Sequence, residues 1–149
     1  MYSNKPPFDY LMVHEDEMSV YGPKDHQRVI SKLNTRLGML YYVDKVIELE
    51  PFPETMIDEA KASAVPDLLL YDNETAESRI IFEICNQEGL KKDLKKVAHL
   101  IEEDNYGILE GFVYNYKTKD WYQYRKDTGW ITETPSFSLV LGIDLNDFL

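Results

Sequence analysis

Two short, almost entirely apolar runs near the middle of the chain place the strongest constraint on its fold. Residues 68–71 read Leu-Leu-Leu-Tyr and are followed by Asp72 and Asn73, and residues 79–85 read Arg-Ile-Ile-Phe-Glu-Ile-Cys. Continuous apolar runs of this length that end at turn residues are typical of strands buried on both faces. The runs therefore predict two buried strands, and with the helices, the hairpin and the family resemblance given below we expect an α/β protein with a mixed central sheet flanked by helices.

Two other segments carry apolar residues at helical spacing. We expect a helix over 25–38, with Asp25 as its N-cap and Gly38 near its end, and a second helix over 90–101 that stops before Asn105. The apolar positions are Val29, Ile30, Leu33, Leu37 and Leu40 in the first segment and Leu90, Leu94, Val97 and Ile101 in the second.

The remaining segments read as strands, turns and irregular chain. Residues 54–65 have no clear periodicity and are expected to be irregular. The other expected elements are a strand over 39–49 that Pro51 and Pro53 break, a hairpin of 108–116 and 121–125 around the turn 117–120, and a strand or loop over 139–148 that enters a short terminal helix.

Composition bounds the class of protein. The 149 residues, 44% of them hydrophobic, suffice for one core, so we expect a single domain over 1–149. No run of about 18 apolar residues could span a bilayer, and the N-terminus lacks the apolar centre of a signal peptide. Cys85 is the only cysteine and cannot form an internal disulfide. These features predict a soluble, cytoplasmic protein.

The formal net charge of −11 argues against broad, non-specific binding of nucleic acid, because contacts to phosphate require concentrated positive charge. The charge is unevenly distributed, however. Basic residues cluster in 91–96 and in 117–126, whereas acidic residues crowd 15–17, 44–59 and 102–104. A local basic rim on an acidic body is therefore the most that a DNA partner could use.

Two carboxylates stand out as candidate site residues. Glu83 is a lone charge in an Ile/Phe strand, which is costly to bury unless the carboxylate is paired or binds a metal. Asp67 directly precedes the neighbouring strand, and carboxylates at the ends of adjacent strands can hold a divalent cation. The non-functional alternatives are a salt bridge from Glu83 to a lysine such as Lys96 and a turn role for Asp67.

The order of these elements resembles that of the PD-(D/E)XK nuclease superfamily and, within it, the Uma2 family of restriction-endonuclease-like proteins. Five short segments carry the resemblance, and together they extend over nearly the whole chain. They are Gly22–Val29 at the first helix, Pro66-Asp67, Ile81–Ile84, Asp93–Lys96 and the closing Leu141–Leu145.

The resemblance implies a DNA endonuclease that hydrolyses phosphodiester bonds with Mg²⁺ or Mn²⁺. Asp67 and Glu83, with the backbone carbonyl of Ile84 or Cys85, would hold the metal. The superfamily places a lysine two residues after the strand acid, where this chain has Cys85. Uma2-like proteins carry a lysine on the next helix instead, which makes Lys96 the candidate catalytic lysine. Lys92 and Lys95 are the fallbacks, and an inactive nuclease-fold interaction module is the alternative function.

Other reactive or aromatic residues have ordinary explanations. His26 is expected at the surface or in a helix cap, Cys85 is expected to be a buried core thiol, and His14 and His99 lack the spacing of a zinc site. The aromatic residues of the hairpin are expected to pack across strands, although they could also stack on bases or form a homodimer interface.

Overall fold

The computed structural model describes residues 23–61 and 63–149. His14 and the acidic segment 15–17 lie outside this part of the chain. A six-stranded sheet has the strand order β1-β2-β3-β4-β5-β6. Every pairing is antiparallel except that of β3 with β4, so the sheet is mixed as predicted. The strands are β1 Leu49–Pro53, β2 Leu68–Asp72, β3 Glu77–Cys85, β4 Glu110–Asn115, β5 Asp120–Arg125 and β6 Gly129–Ile131.

One long helix covers each face of the sheet. Helix α1, Lys24–Gly38, packs through Leu33 and Leu37 against one face, and α2, Gln87–Glu102, connects β3 to β4 across the other. A short two-stranded sheet of β7, Phe137–Ser138, and β8, Ile143–Asp144, precedes a terminal 3₁₀ turn over Leu145–Phe148. No helix in the described ranges is long and apolar enough to cross a membrane.

Most of the predicted elements are confirmed, and the clearest error is the strand predicted over 39–49. Met39–Val43 instead continues α1 as one π-helical turn, and the strand forms over Leu49–Pro53, where the two prolines were expected to end it. Strand β1 lies at the edge of the sheet and pairs only with β2. On an edge strand, a proline whose nitrogen faces away from the neighbouring strand removes no hydrogen bond from the sheet. This explains why β1 tolerates Pro51 and Pro53.

The predicted N-cap is also wrong. Helix α1 begins at Lys24 after Pro23, no side chain caps it, and Asp25 lies in its first turn. There Oδ1 of Asp25 accepts a hydrogen bond of 2.6 Å from Nη1 of Arg28. Pro23 has a φ of −70°, which suits the start of a helix without a side-chain cap.

An irregularity in the β2–β3 ladder decides which way Ser78 points. Leu70 pairs with Ile80 but Tyr71 pairs with Ser78, so Arg79 is an extra residue in β3. Because cross-strand partners share a face, Ser78 lies on the same side of the sheet as Tyr71, the side that α2 covers.

Helix α2 lies so close to β4 that only glycine fits at position 111. A Cβ atom there would stand 2.8 Å from Cδ1 of Ile101 and still closer to Cγ1 of Val97. We expect Gly111→Ala to lower the free energy of unfolding by about 1–3 kcal/mol or more, because the helix must move off the sheet. Urea denaturation measures the loss.

Gly89→Ala is the matched control for this prediction. Gly89 lies in the first turn of α2, and a Cβ atom there would have only ordinary contacts, 3.7 Å from Cβ of Cys85. This variant is expected to keep or raise the stability, since alanine loses less backbone entropy than glycine. Equal losses in the two variants would contradict the close packing at Gly111.

Candidate active site

The strand register brings the two candidate carboxylates together. Leu68 pairs with Phe82 at the start of β2, so the residue before β2, Asp67, faces Glu83 across the same ladder. Oδ2 of Asp67 accepts a hydrogen bond of 2.7 Å from the backbone N–H of Ile84. This bond fixes the Asp67 carboxylate beside β3.

Glu83 is buried, with 4% of its side chain exposed, and Nζ of Lys96 lies 2.7 Å from its Oε2. The two atoms form an ion pair, and Oε2 accepts no hydrogen bond from any other group in the described part of the chain. Burial and, secondly, the negative charge of Asp67 raise the pKa of Glu83 to about 8, although Lys96 opposes the shift. Glu83 is therefore an energetically costly carboxyl group that a nearby cation stabilises.

His26 joins this site, so the prediction that it is a surface or capping residue is wrong. Its Nε2 lies 3.3 Å from Oδ2 of Asp67, its Nδ1 lies 2.8 Å from Oε1 of Gln27, and 14% of its side chain is exposed. Burial lowers the pKa of His26, but the hydrogen bond and charge of Asp67 outweigh it and the pKa is raised. The segment Gly22–Val29, which carries part of the family resemblance, was the signal that could have placed His26 here.

Asp93, the first residue of the Asp93–Lys96 segment that resembles the family, received no catalytic or metal-binding role from the sequence, yet it lies near the site. Burial raises its pKa to about 6, the charge of Lys96 opposes that shift, and the charge of Asp67 adds to it. Asp93 precedes Lys96 by three residues, so both lie on one flank of α2. The charge of Lys96 thus acts on two carboxyl groups of raised pKa, Glu83 and Asp93.

Lys96 differs from the other lysines of α2 in its burial. Its side chain is 31% exposed and contacts Glu83, whereas Lys91, Lys92 and Lys95 lie on the exposed side of the helix. Among these lysines, Lys96 is therefore the one that the fold brings to Glu83, and its role in catalysis stays a prediction.

Cys85 stands where the superfamily has its lysine. Burial, followed by the charges of Asp93, Asp67 and Glu83, raises the pKa of its thiol to about 12, so the sulfur remains protonated. Its carbonyl accepts a hydrogen bond of 2.9 Å from the backbone N–H of Tyr116, and a carbonyl oxygen has a second lone pair. Any role of Cys85 in holding a metal would therefore use the carbonyl and not the thiol.

The donor atoms fit a hard divalent cation. No group of three or more His, Cys, Asp and Glu side chains within residues 23–61 and 63–149 has the arrangement of a complete metal site. Mg²⁺, however, is commonly bound by one or two carboxylates together with phosphate oxygens of the substrate. Asp67, the poorly satisfied Oε2 of Glu83 and a carbonyl of Ile84 or Cys85 supply that kind of partial ligand set.

A basic rim borders the site, formed by Arg28, Lys32, Lys117 and Lys119 around Tyr116. The ring of Tyr116 meets that of His26 edge to face at 6.3 Å, and Nζ of Lys117 lies 5.7 Å from the centre of the Tyr116 ring. Arg28, Lys32, Lys119 and Tyr116 line one open depression together with Asp25, which is paired with Arg28. The ring contact of Tyr116 with His26 connects this depression to the candidate site.

The aromatic residues of the hairpin mostly pack across strands, as predicted. Trp121 is buried; its ring is tilted against that of Tyr114 at 4.8 Å and meets that of Phe112 edge to face at 6.0 Å. Trp130 on β6 packs against Tyr124 and is 42% exposed. The buried rings cannot stack on nucleic-acid bases.

Comparison with known proteins supports the fold. No protein-family model and no curated protein sequence matches the chain. The crystal structure of "a putative nuclease belonging to DUF820" from Anabaena variabilis matches 85% of this chain and 81% of its own, with a TM-score of 0.60 and 16% identity. A cryo-EM structure of a DrdV–DNA complex matches 70% of this chain but 12% of its own, with a TM-score of 0.38 and 12% identity.

The DUF820 structure is the one that informs the fold. Its fold extends over most of both chains, and it shares with this protein the mixed sheet and flanking helices. The chain therefore has the restriction-endonuclease-like fold that its resemblance to Uma2 predicted.

Proposed function

We propose that this protein is a metal-dependent DNA endonuclease that hydrolyses phosphodiester bonds. The observation that carries the proposal is the convergence of Asp67, Glu83 and Lys96 at one end of two paired strands. Asp67 directly precedes β2, Glu83 lies on β3 and Lys96 lies on α2. Two carboxylates and an ammonium group are the side chains that this chemistry requires.

Each residue has a distinct role in the proposal. Asp67 and Glu83, with the carbonyl of Ile84 or Cys85, hold Mg²⁺ or Mn²⁺, which when bound supplies positive charge to the phosphate and acidifies a water molecule. Lys96 holds a positive charge where negative charge develops on the phosphate. His26 and the N–H of Ile84 orient the Asp67 carboxylate.

The basic rim is the proposed path of the DNA backbone. Arg28, Lys32 and Lys119 present cations beside the site on a protein whose net charge is −11. Binding through so few phosphate contacts is expected to be weak and to fall further as salt is raised.

Cleavage of plasmid and single-stranded DNA tests the function. With Mg²⁺ or Mn²⁺, the wild type is expected to nick DNA, whereas Asp67→Asn and Glu83→Gln lower the rate by at least about a hundredfold, because each removes a charged ligand at nearly constant shape. EDTA is expected to stop the reaction.

Asp127→Asn is the control, because Asp127 is an exposed acid in a hairpin turn and asparagine tolerates its φ of 66°. Its rate should equal that of the wild type. Cleavage that persists in both carboxylate variants would indicate a contaminating nuclease and would contradict the proposal.

The second candidate is an inactive interaction module that retains the nuclease fold. The observation that favours it is the ion pair of Lys96 with Glu83, which explains a buried carboxylate without a metal. Such a module should be stabilised by Glu83→Leu. Its melting temperature should not rise with Mn²⁺, whereas that of a nuclease should rise with Mn²⁺ in the wild type and not in Glu83→Leu.

Three coarser features belong to the same proposal. We propose that residues 1–149 form one domain and that the protein acts in the cytoplasm. If it forms a homodimer through the hairpin, the contact would use the exposed Trp130 and not the buried Trp121.

A further inference from the structure

Lys96 occupies the carboxylate oxygen that the proposed metal ion would use. Its Nζ lies 2.7 Å from Oε2 of Glu83, and this oxygen is buried and accepts no hydrogen bond from any other described group. Two cations in contact with one oxygen repel each other strongly where water is excluded. A divalent cation can therefore bind Oε2 only after the ammonium group of Lys96 has moved away.

The second carboxylate of the site is held by a side chain with little freedom to move. Nε2 of His26 lies 3.3 Å from Oδ2 of Asp67, and its Nδ1 lies 2.8 Å from Oε1 of Gln27, so the ring has a partner at each nitrogen. The side chain of His26 is 14% exposed, and its ring also meets that of Tyr116. Asp67 accepts a further hydrogen bond from the N–H of Ile84. His26 and Asp67 are therefore expected to keep their positions when a cation binds.

The side chain of Lys96 can move where that of His26 cannot. It is 31% exposed, and a lysine has a long, flexible stem. Rotation about the bonds of this stem carries the ammonium group off Oε2 of Glu83 without any change in the backbone of α2. Lys96 is therefore the group that an arriving cation displaces.

We propose that Lys96 is a displaceable counter-ion of Glu83. In the metal-free protein its ammonium group balances the buried carboxylate, and when a divalent cation binds, the ammonium group leaves Oε2 and is free to face the phosphate of the substrate. The inference rests on the proposed nuclease function and concerns how that same site is regulated. On this proposal, the ion pair that favours an inactive module is the resting state of the enzyme.

Acetylation of the lysines in the whole chain, measured for each residue by mass spectrometry with and without Mg²⁺, tests the proposal. Lys95 is the internal control, because it is exposed on the same helix and adjacent to Lys96 in sequence. Without Mg²⁺, we expect Lys96 to react about tenfold more slowly than Lys95, because the reagent meets only the minor fraction of molecules in which the amine has left Glu83. With saturating Mg²⁺, the rate at Lys96 should rise toward that of Lys95, whose own rate should not change.

Two variants separate displacement from other effects of the cation. Glu83→Gln removes the charge that holds Lys96, so Lys96 should react rapidly in this variant with or without Mg²⁺. Asp67→Asn retains the ion pair but removes one proposed metal ligand, so Mg²⁺ should no longer raise the rate at Lys96.

The melting temperature shows separately whether Mg²⁺ binds. If Mg²⁺ raises the melting temperature of the wild type while Lys96 remains slow, or if Lys96 reacts as fast as Lys95 without Mg²⁺, the displacement of Lys96 is overturned and the nuclease proposal stands. If Mg²⁺ changes neither the melting temperature nor the rate at Lys96, and the protein does not cleave DNA, the nuclease proposal is overturned and this inference with it.

Discussion

Lys96→Met is expected to lower the rate of metal-dependent DNA cleavage by about two to three orders of magnitude, while Lys95→Met stays within about twofold of the wild type. The difference follows from position, because Nζ of Lys96 lies 2.7 Å from Oε2 of Glu83 and Lys95 lies on the exposed side of the same helix. Removing one preorganised positive group from such a site typically costs a factor of this size. Single-turnover rates at saturating enzyme measure the effect without a contribution from weak binding.

Lys92→Met completes this comparison, since Lys92 is exposed but its charge acts on Asp93. We expect a small loss there. Circular dichroism must show that each variant is folded, because Lys96→Met leaves the buried Glu83 without its neighbouring cation. A large loss in Lys92→Met together with normal cleavage by Lys96→Met would assign the catalytic lysine to position 92.

The free energy of unfolding is expected to fall by a few kcal/mol between pH 5 and pH 8 in the absence of divalent metal. The pKa of Glu83 is about 8 in the folded protein and near 4.5 when unfolded, so the native state holds a proton that the unfolded state releases. The stabilisation is complete below pH 4.5 and is lost as the pH rises through 8. Asp93, with a pKa of about 6, adds to the loss in the lower part of this range.

Urea denaturation of the wild type and of Glu83→Gln at several pH values, in EDTA, tests this dependence. The variant cannot ionise at position 83, so its stability should fall much less between pH 6.5 and pH 8. His26 has a raised pKa and titrates in both proteins, and its contribution therefore cancels in the comparison. Parallel curves for the two proteins would show that Glu83 has an ordinary pKa.

The elements that sequence predicted correctly are those whose pattern is local. A few neighbouring residues suffice to predict β2 and β3 from their apolar runs and α2 from its apolar stripe. Glu83 is easily found because it is a charged residue inside such a run. The prediction that Pro51 would end a strand was wrong because a strand at the edge of a sheet tolerates proline. Which strand lies at the edge is decided by the assembled sheet and cannot be read from a local pattern.

The missed parts of the site depend on contacts between distant segments. His26 reaches Asp67 across 41 positions, and no spacing rule within the first helix predicts that contact. The raised pKa of Asp93 could be predicted only by knowing that its flank of α2 is buried against the sheet. Ser78 is likewise placed on the α2 side of the sheet by one extra residue in the ladder, and a period of two along β3 would have placed it on the opposite face.

The absence of a Cβ atom at Gly111 has a consequence for the chemistry as well as for packing. Val97, whose side chain packs on Gly111, is the residue next to Lys96. The distance of Lys96 from the sheet therefore depends on the close approach of α2 to β4 that Gly111 allows. A lysine on the strand would need no such spacer, because its own backbone would locate it. A lysine on the neighbouring helix depends instead on the distance between helix and sheet. The residue at position 111 of β4 therefore determines whether Lys96 reaches Glu83.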